Sequence, residues 1–223
     1  MKYLDILQDK EIMAILNQID VSKQYEAKHY GIIHTLNTVE FSKQLSVCFE
    51  LNKKEEELLL VCCALHNIGH LNGKNLHAQT GAEMAKGYLL KRSMPLKDIN
   101  VICNAIRSHT GKRNDDFYNN VSCCMILADK MDFGASRYKA NFAKLSAEDR
   151  VCKKITYVEA KRINDTVQLV VGGFDVDWDK FIQTSTYSKI YSCFSMACKK
   201  AGLKFVFKKT SITSIFGKKK IEG

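Results

Sequence analysis

Residues 52–70 read NKKEEELLLVCCALHNIGH, and the fold turns on this stretch. Asn52 followed by Glu55 has the spacing of a reciprocal N-terminal cap, and the acids at Glu55, Glu56 and Glu57 suit the positive end of a helix. From Leu58 to Leu65 the helix is apolar nearly all round. A helix with no polar face has to be covered on every side, so this one is predicted to be central and buried. It ends by carrying His66 and Asn67 into the interior, where an unpartnered polar group costs about 1–3 kcal/mol.

Working outward, His77 to Leu90 gives a second helical stretch. Pro95 is placed to start another, running through Ile99, Ile102 and Ile106 and stopping near Gly111. Val121 to Met131 is a further apolar helix. No alternating strand pattern interrupts residues 1–145, which are expected to form an all-helical bundle. The pattern changes after Ser146. In KKITYVEAKRINDTVQLVVGGF, two β-branched runs flank Asn164-Asp165, a hairpin signal. A helix over roughly 179–201 and the strand-like run LKFVFKK follow. The expected architecture is therefore mainly α. A helical domain (1–145) carries a small α+β (ββαβ) subdomain (146–215) and a basic tail (216–223), the two units packing as one body.

Composition excludes several classes. Hydrophobic residues make up 46% and charged residues 26% of the 223, as in ordinary globular chains. No apolar run reaches 18 residues, and the start, MKYLDILQDKEIM, carries acids where a signal peptide is apolar. A cytoplasmic protein without membrane spans is the expectation. The nine cysteines include the adjacent pairs Cys62-Cys63 and Cys123-Cys124 and no CxxC, which reads as reduced core filler. The net charge of +10 is concentrated late, with fifteen Lys or Arg against eight Asp or Glu from residue 146 onward. That balance favours anionic partners without choosing among them.

Six histidines are present, and a lone histidine is usually a surface or packing residue. Three settings raise the stakes: His66 closes the apolar helix, His109 closes the helix after Pro95, and Asp129 lies in the apolar run CCMILADKMD. Buried polar groups need partners, and a divalent cation would satisfy several together. HNIGH is not a zinc-protease HExxH motif, because Asn67 replaces the required Glu and Gly69 is expected to break the helix.

Taken in order, His34 in HTLNTVEFSKQL, LHNIGH, His77 in NLHAQTGAEMAKGYL, His109 in IRSHTG and Asp129 in LADKMD resemble the HD phosphohydrolase superfamily over roughly residues 25–140. The late α+β segment is similar to an addition some members carry. The resemblance implies a first metal site from His34, His66, Asn67 and Asp129, and a second from His77 and His109. One or two divalent ions (Mn, Fe, Mg or Zn) are implied. The substrate class implied is a phosphate ester or anhydride, usually of a nucleotide. Asn67, His70 and Lys130 are the candidate catalytic residues, with His70 contacting phosphate or protonating a leaving group. Lys112, Arg113 and Arg137, with Lys130, would clamp phosphate. His29 has no motif and is expected to be structural or exposed.

The sequence departs from the family at Asn67, where the dyad has Asp. An amide brings one carbonyl oxygen and no charge, so weakened metal binding is expected, whether the amide is native or an introduced replacement. Lacking HDxxED acids and a GYP motif, the chain does not match the guanosine-tetraphosphate or cyclic-di-GMP branches. Two other readings stand beside the enzyme: an inactive nucleotide sensor, and a nucleic-acid protein gripping through the basic second unit, where Tyr157, Phe174 and Trp178 are available. Self-association is left open.

Overall fold

The computed structural model describes residues 2–211. In chain order, the helices before the sheet are α1 (Tyr3–Leu7), α2 (Lys10–Val21), α3 (Ile32–Cys48), α4 (Lys53–Leu65), α5 (His77–Leu90), α6 (Leu96–Ser108), α7 (Asn120–Met131) and α8 (Ala147–Lys153). Then come β1 (Ile155–Ile163), β2 (Thr166–Gly173), α9 (Trp178–Ile182), α10 (Ser185–Lys200) and β3 (Lys204–Ser211).

Helix α4 sits in the middle, against α1, α3, α6 and α7, and Leu58 to Leu65 are all buried. Its start is closed by the predicted cap: Asn52 Oδ1 accepts from the Glu55 amide at 3.0 Å, and Glu55 Oε2 accepts from the Asn52 amide at 3.0 Å. Helix α3 starts where Asp20, from the end of α2, accepts the Gly31 and Ile32 amides at 3.1 and 2.8 Å. That cap fixes the helix carrying His34 against the helix before it.

The sheet has the order β1-β2-β3. Strands β1 and β2 pair antiparallel from Ile163 opposite Thr166, around Asn164 at φ +54°. Strand β3 runs parallel to β2, so α9 and α10 form the crossover between them. The unit is tied to the bundle through β1 and α10, and through α8, where Asp149 meets Lys28 at 2.7 Å. Strand β1 lies on α3, where Gln44 Oε1 accepts the Ala160 amide at 2.9 Å, and α10 lies on α7. The buried apolar residues of both parts form one continuous core.

Two expectations for the second half are corrected. The segment after Ser146 opens with α8 rather than a strand, because Ser146 Oγ accepts the Asp149 amide at 3.1 Å and caps a short helix. The single helix expected over 179–201 is two. Thr184 ends the first by donating to Phe181 O at 2.7 Å and starts the second by accepting the Tyr187 amide at 3.0 Å. The tail at 216–223 lies outside the described residues.

The role of Gly69 also differs from the expectation. Helix α4 already ends at Leu65, and residues Ile68–Asn72 continue as a 3-10 turn. What Gly69 supplies is space: a Cβ there would lie 2.0 Å from His77 O and 2.4 Å from the Gly81 amide nitrogen. The HNIGH turn thus rests directly on the α5 backbone and brings His70 beside His77. Gly69→Ala is expected to destabilise the fold by about 3 kcal/mol, the upper end of overpacking costs, read from urea unfolding.

Candidate metal centre

Four imidazoles have Nδ1 tied to a fixed acceptor. His66 Nδ1 meets Cys63 O at 2.8 Å, His109 Nδ1 meets Ile106 O at 2.6 Å, and His77 Nδ1 meets Lys74 O at 2.7 Å. His34 Nδ1 meets the Asp132 carboxylate at 2.6 Å. A ring whose Nδ1–H is spent this way presents a bare Nε2 lone pair. The helix ends put these lone pairs together: His34 and His66 Nε2 are 3.3 Å apart, and His77 and His109 Nε2 are 3.0 Å apart. Facing lone pairs at that distance repel unless a positive charge stands between them. Asp129 Oδ1 completes the first group, 3.1 Å from His34 Nε2 and 3.9 Å from His66 Nε2. Among the described residues His34, His66 and Asp129 form a set whose ligand atoms lie within 4.8 Å of one another. The pairs adjoin, with the His66 and His109 ring centroids 5.3 Å apart.

A proton is a poor substitute for a cation here. Burial first, then the neighbouring imidazoles of His34 and His109, hold His66 well below the usual histidine range. Burial holds His109 down to about 4, even with Asp129 pulling the other way. His77 is lowered for the same first reason. Burial alone would push Asp129 up, but Lys130, whose ammonium is 2.5 Å away, and His34 keep its carboxyl well below the ordinary value. Neutral imidazoles at His66, His77 and His109 beside an ionised Asp129 are what a divalent cation requires.

Asn67 is buried and lines the same cavity, and its Nδ2 has no hydrogen-bond acceptor. His70 lies next to it, stacked on His77 at 4.0 Å, with its Nδ1 2.9 Å from the buried Tyr25 hydroxyl. Burial and then His77 push the His70 imidazole down to about 2, so it stays neutral.

The HD domain family matches residues 31–156, more than half of the sequence. The chain belongs to the HD domain family. Its members are metal-dependent hydrolases that typically bind divalent metals, which agrees with the donor set just described. A crystal structure of a predicted HD superfamily hydrolase from an uncultured Thermotogales bacterium is similar, at 19% identity and a TM-score of 0.44, over 60% of this chain and 76% of that one. No curated protein matches the sequence. No helix among the described residues is long and apolar enough to cross a membrane.

The HD centre opens into a cavity of about 560 Å³, lined by Asn67, His70, His77, His109 and Asp129 and by the cations Lys74, Lys112, Lys130, Arg137 and Lys189. Lys112, Lys130 and Arg137 thus face one cavity. Arg113 does not: its guanidinium turns back to Asp116 at 3.3 Å, on the rim of a separate depression with Arg107 and Tyr118. His29 stands apart from this cavity, 3.4 Å from Asp20.

Asp132 was missed by the sequence reading. It accepts from His34 Nδ1, from Asn37 Nδ2 at 2.9 Å and from Arg137 Nη1 at 3.2 Å. Burial would raise its pKa, but the His34 hydrogen bond and Arg137 lower it. The signal was present, since Asp132 follows Asp129 by three residues at the end of the same apolar helix. As the group that orients His34, Asp132 should tune the metal. Asp132→Asn is expected to weaken manganese binding by about 10–100-fold in calorimetric titration, leaving the helical circular-dichroism signal in place.

The depressed histidines also set a pH dependence for the metal-free protein. Their folded pKa values lie below the unfolded value of about 6.5, so the unfolded chain takes up protons first as pH falls. Stability is expected to be level above pH 7 and to fall through the window from about 6.5 toward 4, where His109 itself titrates. Urea midpoints measured in chelator at pH 8, 7, 6 and 5 check this, and a midpoint rising toward pH 5 would contradict it.

Proposed function

We propose that this chain is a phosphohydrolase of the HD type, acting on a phosphate ester or anhydride of a nucleotide. The observation that carries the reading is the convergence of the buried His34 and His66 Nε2 atoms on Asp129 Oδ1, which itself lines a cavity rich in lysine and arginine. His34, His66 and Asp129 would hold the first cation, with the Asn67 carbonyl a weak fourth partner; His77 and His109 would hold a second. A set with more imidazole than carboxylate suits iron or zinc better than magnesium. A cation bound there supplies the charge that acidifies a nearby water and polarises a phosphoryl oxygen.

The protein's own groups divide the remaining work. Lys130 offsets Asp129 and faces the cavity, where it can meet a phosphate oxygen. Arg137 is held rigid, with Asp132 bound at one end and the Tyr30 ring 4.4 Å from its guanidinium. Rigid, desolvated cations of this kind stabilise developing charge without reorganising. His70, kept neutral, suits a hydrogen bond to phosphate better than proton donation by an imidazolium. Lys112, exposed at the mouth, would draw the anion in.

Asn67 weakens this centre, in this reading, by leaving Asp129 as the one anion facing the metals. Asn67→Asp is expected to raise bound metal per chain toward two and to raise the hydrolytic rate on nucleotide phosphates at least about tenfold. His66→Ala and Asp129→Asn are expected to abolish both. Elemental analysis and phosphate release measure these together, and an Asn67→Asp protein with unchanged metal content and rate would overturn the account. The unpartnered Asn67 amide favours one second reading, a site that binds nucleotide without turnover, which predicts a stable complex and no product in the unaltered chain.

A further inference from the structure

Helix α10 forms one wall of the cavity, although it belongs to the unit built around the sheet. Ser188, Lys189, Ser192 and Cys193 all line it, two pairs at i,i+4 spacing and hence one helix face. Its other side is anchored: Ile190, Phe194, Ala197 and Cys198 are buried. The seat against α7 is close. Gly111, at φ +61°, leaves no room for a Cβ, which would lie 2.7 Å from Ile126 Cγ2 and 3.2 Å from Cys193 Sγ. The wall is a fixed part of the site.

Its charge is not compensated. Lys130 is paired with Asp129, Arg137 with Asp132, and Lys28 with Asp149. Among the described residues Lys189 has no ion pair, and the Ser188 and Ser192 hydroxyls have no side-chain hydrogen bond. Lys189 also borders a smaller adjoining cavity of about 230 Å³, which shares Tyr30, Asp129, Lys130 and Arg137 with the larger one. A phosphate at the histidines would be met by Lys130 and Arg137. Lys74, Lys112 and Lys189, none with an ion pair among the described residues, would remain, and of these Lys189 shares one helix face with two hydroxyl donors.

We propose that Lys189, with the Ser188 and Ser192 hydroxyls, binds a second phosphoryl group, so that the preferred substrate carries two. The proposal rests on the phosphohydrolase reading for the first phosphate and adds a subsite that reading does not need.

The test is calorimetry on the full manganese-loaded chain with adenosine 5′-monophosphate, adenosine 5′-diphosphate and adenosine 3′,5′-bisphosphate. At least one doubly phosphorylated ligand should bind about tenfold tighter than the monophosphate, as one added charge-assisted contact provides. Lys189→Gln should remove most of that preference and Lys189→Arg should keep it. Lys189 is exposed, so neither variant threatens folding. No preference in the unaltered chain, or a preference that Lys189→Gln leaves intact, overturns the subsite. Because binding is read without turnover, the two readings fail separately. Lys189-dependent selectivity without any hydrolysis, even in the Asn67→Asp protein, would sink the phosphohydrolase reading and keep the subsite.

Discussion

The hydrogen bonds from imidazole Nδ1 to backbone carbonyls at the ends of α4 and α6, and to Asp132 beyond α7, govern the chemistry of this protein. Each bond selects a tautomer and an orientation together. Since the acceptors are three residues upstream for His66 and His109, the rings fold back over their own helix ends and aim Nε2 at His34 and His77 respectively. The helices need only be packed correctly for the lone pairs to meet. The positioning of the centre is therefore an outcome of core packing, chiefly of the all-apolar α4, more than of the loops around it.

That dependence explains what could be read in advance. The bundle was legible because α4, α6 and α7 carry strong apolar patterns with recognisable starts, and Asn52 with Glu55 caps α4 as the spacing requires. The hairpin at Asn164-Asp165 was legible because that turn needs a residue tolerant of positive φ. His66, His109 and Asp129 could be picked out because each is a polar group in or at the end of an apolar helix, where it has to find a partner, whereas His34 and His77 were marked only by the resemblance. The HD resemblance then ordered them.

What could not be read lies where the sequence has no period to betray it. Lys189 and Ser192 look like a solvated helix face, and only the seating of α10 on α7 turns that face toward the metal centre. Arg113 follows Lys112 directly and was assigned with it, yet Asp116, three residues on, draws its guanidinium away. The break at Thr184 comes from a hydroxyl serving two helices, a local choice that helical periodicity does not reveal. Gly69 looked like a helix breaker, whereas its task is to let two backbones touch.

The parallel pairing of β3 with β2 carries a consequence for how the protein comes into being. Vectorial synthesis delivers every metal ligand, and Asp132 behind His34, before α10 has left the ribosome. Helix α10 lies in the crossover of that parallel pair, so β2 and β3 can pair only after α10 has been made. The candidate metal ligands His34, His66, His77, His109 and Asp129 all precede that crossover in the sequence, whereas the helix wall proposed to meet a second phosphoryl group lies within it.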